Sequence, residues 1–173
     1  FYGENQGHKN QIIDGQFKKK YTENFYYYEE SEIVNNKEYF FNSLLSKSFF
    51  ESEKLIIINR ATDKIKETIE EIIEKKITDV VIVLNSNTLE KKSKLRSLFE
   101  KGKETICVPF YEDNAQTLSS IVSLFFRENK ISISQQAINL LVGRSSGDRQ
   151  NLNNELEKIK SFFGNRGKID IQD

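Results

Sequence analysis

The 173-residue chain carries 26 basic and 26 acidic side chains, so its net charge is zero and no global field draws it to nucleic acid or to a membrane. About 37% apolar residues suffice for a core, in one domain of ordinary size or one domain with a small appendage. One cysteine excludes an internal disulfide, no apolar run approaches the ~18 residues of a membrane span, and no signal peptide is visible, all of which fits a reduced, cytoplasmic setting.

Phe1-Tyr2 reads as the end of a buried strand, followed by a glycine-containing turn and the start of a helix. That is the place of a phosphate-binding loop in a strand–loop–helix unit. The working pattern G-x-x-x-x-G-K-[ST] fails at each key position. Only three residues separate Gly3 from Gly7, His8 stands where Lys should follow, Lys9 comes one place late, and Asn10 offers no hydroxyl to magnesium. The loop is therefore expected to be degenerate, with no bound cofactor. Residues 11–20 read as a helix, 24–29 as an aromatic strand, and 36–47 as a helix with Tyr39, Phe40 and Leu44 on one stripe. The continuous apolar runs at 54–59 and 79–85 read as strands buried on both faces. Between them, 62–76 reads as a helix, and 89–102 follows as a strongly basic one. Residues 105–110 read as a further strand and 114–129 as a helix. From Ile131 onward the pattern lacks strands until the end: a Ser134-capped helix, a break at Ser146-Gly147-Asp148, and a helix ended by Gly164. Alternating strands and helices predict an α/β fold with a parallel sheet, and a boundary near Lys130 separates it from a small helical region.

Several residues invite a chemical reading. Cys107 has no cysteine partner and reads as a buried packing residue rather than a catalytic thiol. His8, the single histidine, reads as a surface loop residue. The strand 79–85 is where a nucleotide hydrolase would end in acidic residues that hold magnesium, yet it ends in Asn85-Ser86-Asn87. Lys91, Lys92, Lys94 and Arg96 are candidate contacts to a phosphate backbone, although Glu90 and Glu100 dilute them and a solvated helix face is the plainer reading. Ser48-Phe49-Phe50-Glu51-Ser52 places two adjacent phenylalanines between a helix and a strand. They form either a hydrophobic clasp in the core or an exposed aromatic wedge for a protein partner.

In order and spacing, these pieces resemble the delta subunit of the bacterial DNA polymerase III clamp loader over essentially the whole length. The resemblance rests on Tyr2-Gly3-Glu4-Asn5, on Ser48-Phe49-Phe50 before Lys54-Leu55-Ile56-Ile57-Ile58, and on Val81-Ile82-Val83-Leu84 with the lysine-rich helix after it. It continues through Ile131-Ser132-Ile133-Ser134 with Ala137 and Leu140-Leu141, and through Gly147-Asp148-Arg149 followed by Asn154-Glu155-Leu156-Glu157-Lys158.

The resemblance implies an AAA+-type parallel sheet with flanking helices over 1–130 and a helical lid over 131–173. It implies a non-catalytic subunit of a DNA polymerase holoenzyme that binds no ATP and helps open the sliding clamp, the beta subunit, in the bacterial replisome. A hydrophobic pair in this family enters a pocket on the clamp. Phe49 and Phe50 occupy its place and, with Leu45, are the candidate clamp-binding residues; Phe-Phe departs mildly from the Leu-Phe of many relatives. Arg149 matches the lid position of a nucleotide-sensing arginine, where a structural role is expected here. A chain without Met, starting within an apolar strand and lacking the family's helical collar, is expected to be a fragment that meets the other loader subunits through that missing domain. Primed DNA within the complex is a further candidate partner, and no membrane is expected. Two other functions stay open: an active phosphate-loop hydrolase, and a nucleic-acid-binding adaptor using the lysine-rich helix.

Overall fold

The computed structural model describes residues 1–21, 24–46, 53–163 and 168–170. Contacts divide the chain into two units, one of Phe1–Glu4 with Lys9–Phe110, the other of Asn5–His8 with Tyr111–Asp173.

In chain order, α1 (Gln6–Ile12) passes through a π-helical stretch, Ile13–Lys18, into α2 (Lys19–Tyr21). Then come β1 (Phe25–Glu29), α3 (Glu30–Asn35), α4 (Lys37–Leu45) and β2 (Lys54–Asn59). A 3₁₀ turn, Asp63–Ile65, leads into α5 (Lys66–Glu74), followed by β3 (Val80–Asn85) and α6 (Lys94–Lys101). The remainder comprises α7 (Ala115–Glu128), β4 (Ser132–Ile133), α8 (Gln135–Ser145), α9 (Arg149–Phe163) and β5 (Lys168–Ile169).

The first unit is built on the parallel sheet β1-β2-β3, in register from Phe25 opposite Leu55 to Asn59 opposite Asn85. Between Lys54 and Asn59 strand β2 is wholly apolar because both its faces are covered. Leu55 and Ile57 pack with Ile13, Tyr21 and Val83 on one side, whereas Ile56 and Ile58 pack with Phe40, Leu44 and Ile69 on the other. Past β3 the main chain extends the sheet. The Phe1 nitrogen donates to the Leu84 carbonyl at 2.9 Å and Ser86 N–H returns to the Phe1 carbonyl at 2.9 Å. Tyr2 N–H donates to Val108 O at 3.1 Å and Phe110 N–H to Tyr2 O at 2.7 Å. The spatial order is therefore 25–29, 54–59, 80–85, 1–2, 108–110. The chain goes from 1–2 to the far edge, returns strand by strand, and crosses 1–2 to finish. The turn after Tyr2 thus lies at a crossover point, where open α/β sheets bind ligands beyond the carboxyl ends of their strands.

In the second unit, Leu118, Val122 and Phe126 of α7 form an i, i+4, i+8 stripe packed on Ile138 of α8 and on Leu152 and Leu156 of α9. Side chains satisfy the first N–H groups of each helix. Asn114 Oδ1 accepts from Thr117 N–H at 2.8 Å, Ser134 Oγ from Ala137 N–H at 3.2 Å, and Asp148 Oδ1 from Gln150 N–H at 2.7 Å. Ser146 and Gly147, with φ of 51° and 81°, break the path between α8 and α9.

Several expected elements differ. The first helix begins at Gln6 rather than 11, and α3 was not anticipated. The basic helix begins at Lys94 rather than 89, because Ser93 caps it. The expected strand 105–110 reduces to a bridge between Tyr2 and Pro109, whose ring leaves no N–H to give. The region after Ile131 is not free of strands, since β4 and β5 pair in parallel. By contacts, α7 groups with the helices that follow it, ahead of the boundary drawn near Lys130. No described helix is long and apolar enough to cross a membrane.

Candidate functional site

Gly3 turns with φ of 115°, and a Cβ there would lie 2.3 Å from the Phe110 carbonyl oxygen, so only glycine fits. The turn is short. Helix α1 starts at Gln6, which places Gly7 and Lys9 inside the helix instead of in a phosphate loop. Lys9 has no exposed surface. Its Nζ donates to Gly3 O at 2.8 Å and to Ser86 O at 2.6 Å, and among the described residues no carboxylate pairs with it. Burial pushes its ammonium below the ordinary lysine pKa. The cation that a phosphate loop would offer a ligand instead ties the turn after Tyr2 to the end of β3.

The neighbouring strand ends carry amides. Asn85, at the end of β3, donates its Nδ2 to Asn59 Oδ1, at the end of β2, at 3.1 Å. Of this amide pair, the sequence reading covers Asn85, with Asn87, but not Asn59. The second position was legible as Ile58-Asn59-Arg60, an apolar strand that also ends without a carboxylate. Arg60, at a left-handed φ of 54°, donates to Glu29 at 2.7 Å. Among the described residues no group of three or more His, Cys, Asp or Glu side chains is placed to hold a metal ion.

In the second unit, Arg149 opens α9 and is buried with Asp113, their side chains 7% and 6% exposed. Arg149 Nε donates to Asp113 Oδ2 at 2.6 Å, and Asn5 Nδ2 donates to the same oxygen at 2.8 Å. Burial pushes the Asp113 carboxyl upward, but the hydrogen bonds from Arg149 and Asn5 outweigh it and hold the group below the ordinary aspartate range. Asn5 also caps α1, accepting from His8 N–H at 3.0 Å. Expected in a loop, His8 lies on α1, half-buried; burial and then the Arg149 charge push its imidazole downward. Gly7 allows close packing in this unit, since a Cβ there would meet Gln150 N at 2.6 Å.

Helix α4 buries Phe40, Phe41 and Leu44 but leaves Leu45 57% exposed at its last turn. The helix stops where Ser46 turns extended and the buried Lys54 ammonium caps its end, donating to the Ser43 carbonyl at 3.1 Å and to the Ser46 carbonyl. Phe49 and Phe50 lie outside the described residues.

The four candidate basic residues separate. Lys91 and Lys92 precede α6 in a turn, Lys94 opens the helix, and all three are exposed. Lys92 pairs with Glu90 at 2.9 Å. Arg96 is committed elsewhere: it donates to Glu100 at 2.7 Å and to Leu89 O at 3.2 Å, and its guanidinium sits 4.8 Å from the centre of the Tyr2 ring. Cys107, expected to be buried in a strand, is half-buried outside any strand, and burial raises its thiol pKa.

The structure is similar to that of a Bacillus subtilis DNA clamp loader delta protein, with a TM-score of 0.61 and 16% identity over 99% of this chain and 55% of that one. It is also similar to a Thermotoga maritima RuvB variant, TM-score 0.63 and 12% identity, over 99% of this chain and 57% of that one. A T. maritima RuvB Holliday junction branch migration motor matches with a TM-score of 0.60 and 11% identity, over 94% of this chain and 54% of that one. At these identities the likeness shows the fold, an AAA+-like α/β arrangement, and the chain spans just over half the length of each structure. No curated protein matches it. The model of the DNA polymerase III delta subunit family matches residues 1–112, well over half of the sequence, and the chain belongs to that family.

Proposed function

We propose that the chain is a non-catalytic part of the clamp loader in DNA replication, and that it binds the sliding clamp through the end of α4 and the phenylalanines after it. The observation that carries this reading is the family match, which runs through α4 and residues 47–52. The exposed Leu45, at the end of a helix that buries Phe40, Phe41 and Leu44, supports it, since an exposed apolar side chain next to two phenylalanines in sequence suits an anchor within a polar rim. Lys9 held by main-chain carbonyls, amides in place of carboxylates at two strand ends, and Arg149 held by Asp113 all support a subunit that does not hydrolyse ATP. They speak against the hydrolase alternative.

Co-elution with the matching sliding clamp tests the reading. Losing an interface aromatic typically costs about 2–4 kcal/mol, which is on the order of 30- to 1,000-fold in affinity. Phe49→Ala with Phe50→Ala should abolish clamp binding and leave the melting temperature unchanged. A collapsed melting temperature would make the pair core residues, and unchanged binding would remove them from the interface. Saturable heat on titration with magnesium-ATP would restore the hydrolase reading.

A further inference from the structure

Strand β1 forms one edge of the parallel sheet in the first unit. It pairs with β2 on one side and, among the described residues, with no strand on the other. Leu55 N–H donates to the Asn24 carbonyl at 3.0 Å, which fixes the parity of the ladder. Asn24, Tyr26 and Tyr28 turn their main-chain groups toward β2, so those of Phe25, Tyr27 and Glu29 turn outward. The Glu29 N–H is taken, since it donates to the Glu32 carboxylate at 2.7 Å. Edge strands are ordinarily blunted by a lysine, a proline, a bulge or a very short length. Residues 25–28 read Phe-Tyr-Tyr-Tyr, without charge or proline, and β1 has an ordinary strand length of five. Tyr26 and Tyr27 are 40% and 47% exposed.

We propose that β1 is the docking edge for a second copy of this chain, the two strands pairing antiparallel about a two-fold axis at Tyr27. Such an interface is isologous, so the edge must complement itself. In this register the two Tyr27 residues face each other and exchange both main-chain bonds. Phe25 faces Glu29 of the second copy, and its N–H meets the Glu29 carbonyl, whose oxygen has two lone pairs. Facing residues share one side of the sheet, with Cα atoms about 5.5 Å apart. Lys18 stands on that side, its ammonium 5.3 Å from the Phe25 ring centre and 4.9 Å from that of Tyr27. The Glu29 carboxylate of the second copy therefore arrives beside Lys18, and the two-fold axis makes this pair twice. Both groups have capacity for it. Lys18 holds one carboxylate, Asp14 at 2.6 Å, and the one-third-exposed Glu29 holds one guanidinium, Arg60 at 2.7 Å. The acid that matches Lys18 thus lies on β1 itself, two residues past the axis, and this charge complementarity selects a second copy as the occupant. One pair of five-residue strands is small against the ~1,200 Å² that stable interfaces bury, so the dimer is weak and concentration-dependent. It uses neither Leu45 nor the phenylalanines after α4 and goes beyond clamp binding.

Sedimentation equilibrium over a wide range of protein concentration tests this, and the parent chain should pass from monomer to dimer. Tyr27→Pro should stay monomeric. The proline removes an outward N–H, a place where edge strands tolerate it, so each copy keeps its own sheet. Lys18→Glu alone and Glu29→Lys alone each oppose like charges and should weaken the dimer. An equimolar mixture of these two variants restores both ion pairs and should associate roughly 2- to 30-fold more tightly than either alone. Circular dichroism melting checks that each variant is folded. Where Glu29→Lys loses its fold along with its helix cap, a crosslink decides instead. In a Cys107→Ser chain, Tyr27→Cys should oxidise to a disulfide dimer, since the facing Cα atoms lie within the span of about 4.4–6.8 Å that a disulfide bridges. Tyr39→Cys, at a more exposed tyrosine on α4, should not. Any of four results overturns the proposal: a parent that is monomeric at every concentration, a Tyr27→Pro dimer as tight as the parent's, a mixture no tighter than its components, or crosslinking at position 39 as fast as at position 27.

Discussion

A buried cation in each unit, Lys9 in the first and Arg149 in the second, is held in opposite ways. Lys9, in the first, has no exposed surface and is held by two main-chain carbonyls alone. Arg149, in the second, is held by the carboxylate of Asp113, with Asn5 on the same oxygen. A lysine with neutral acceptors is a strut: its charge is unneutralised and its value lies in the two hydrogen bonds. An arginine with a carboxylate is a pair, in which each member makes the other's burial tolerable. The difference teaches that a buried cation can be held by whichever partner its surroundings supply, neutral main-chain carbonyls in one unit and a carboxylate in the other.

The comparison breaks most visibly at Asp113. Asp113→Ala leaves a buried guanidinium without its counter-charge, and breaking such a pair typically costs about 3–5 kcal/mol. Thermal melting should show this large loss, and Asp113→Leu combined with Arg149→Met should recover most of it. If the single and double variants melt alike, the pair reading fails. A smaller effect is expected at Lys9. Lys9→Met keeps the stem and removes the donor, leaving the Gly3 and Ser86 carbonyls unmet, at about 1–3 kcal/mol. A loss as large as that of Asp113→Ala would mean that Lys9 answers a charge, not two carbonyls.

The smallest effect is in pH. The Asp113 carboxyl titrates below its ordinary 3.8 in the folded chain, so its contribution is complete above that value and is lost as pH falls through the lower folded value. The Lys9 ammonium also titrates below its ordinary 10.5, so the folded state sheds its proton first and stability rises as pH climbs toward 10.5. The two units should therefore respond at opposite ends of the scale. Hydrogen exchange on acidification should loosen amides of α9 before those of β2. Simultaneous loosening of both would defeat the assignment.

The sheet was readable because β2 and β3 are continuous apolar runs, a pattern that only strands covered on both faces produce. Helices α7 and α8 were readable from Asn114, Ser134 and Gly147, whose short side chains or left-handed backbone mark ends locally. Helix α3 escaped because its Glu30-Ser31-Glu32 start looks like a polar loop, and in its capping box the side chains of Glu29 and Glu32 each accept from the other's backbone N–H. The burial of Lys9 was not legible at all, since a lysine on a helix reads as solvated and its acceptor at Ser86 lies 77 residues away. The same holds for Asp113 and Arg149, 36 residues apart and without a shared motif. The basic residues were recognised, but composition alone could not tell that Arg96 is spent on Glu100 and Tyr2 whereas Lys101 is not.

The placement of residues 1–3 between β3 and residues 108–110 has a consequence for synthesis. These residues leave the ribosome long before the main-chain partners at Leu84, Ser86 and Val108 exist. At translation rates of about 5–20 residues per second, the wait is on the order of 5–20 seconds. Until β3 and then 108–110 are made, the main chain of 1–3 lacks these partners. A nascent chain in that interval offers a strand edge to any neighbour, and holdase chaperones or a slow ribosome would have their greatest effect on yield there.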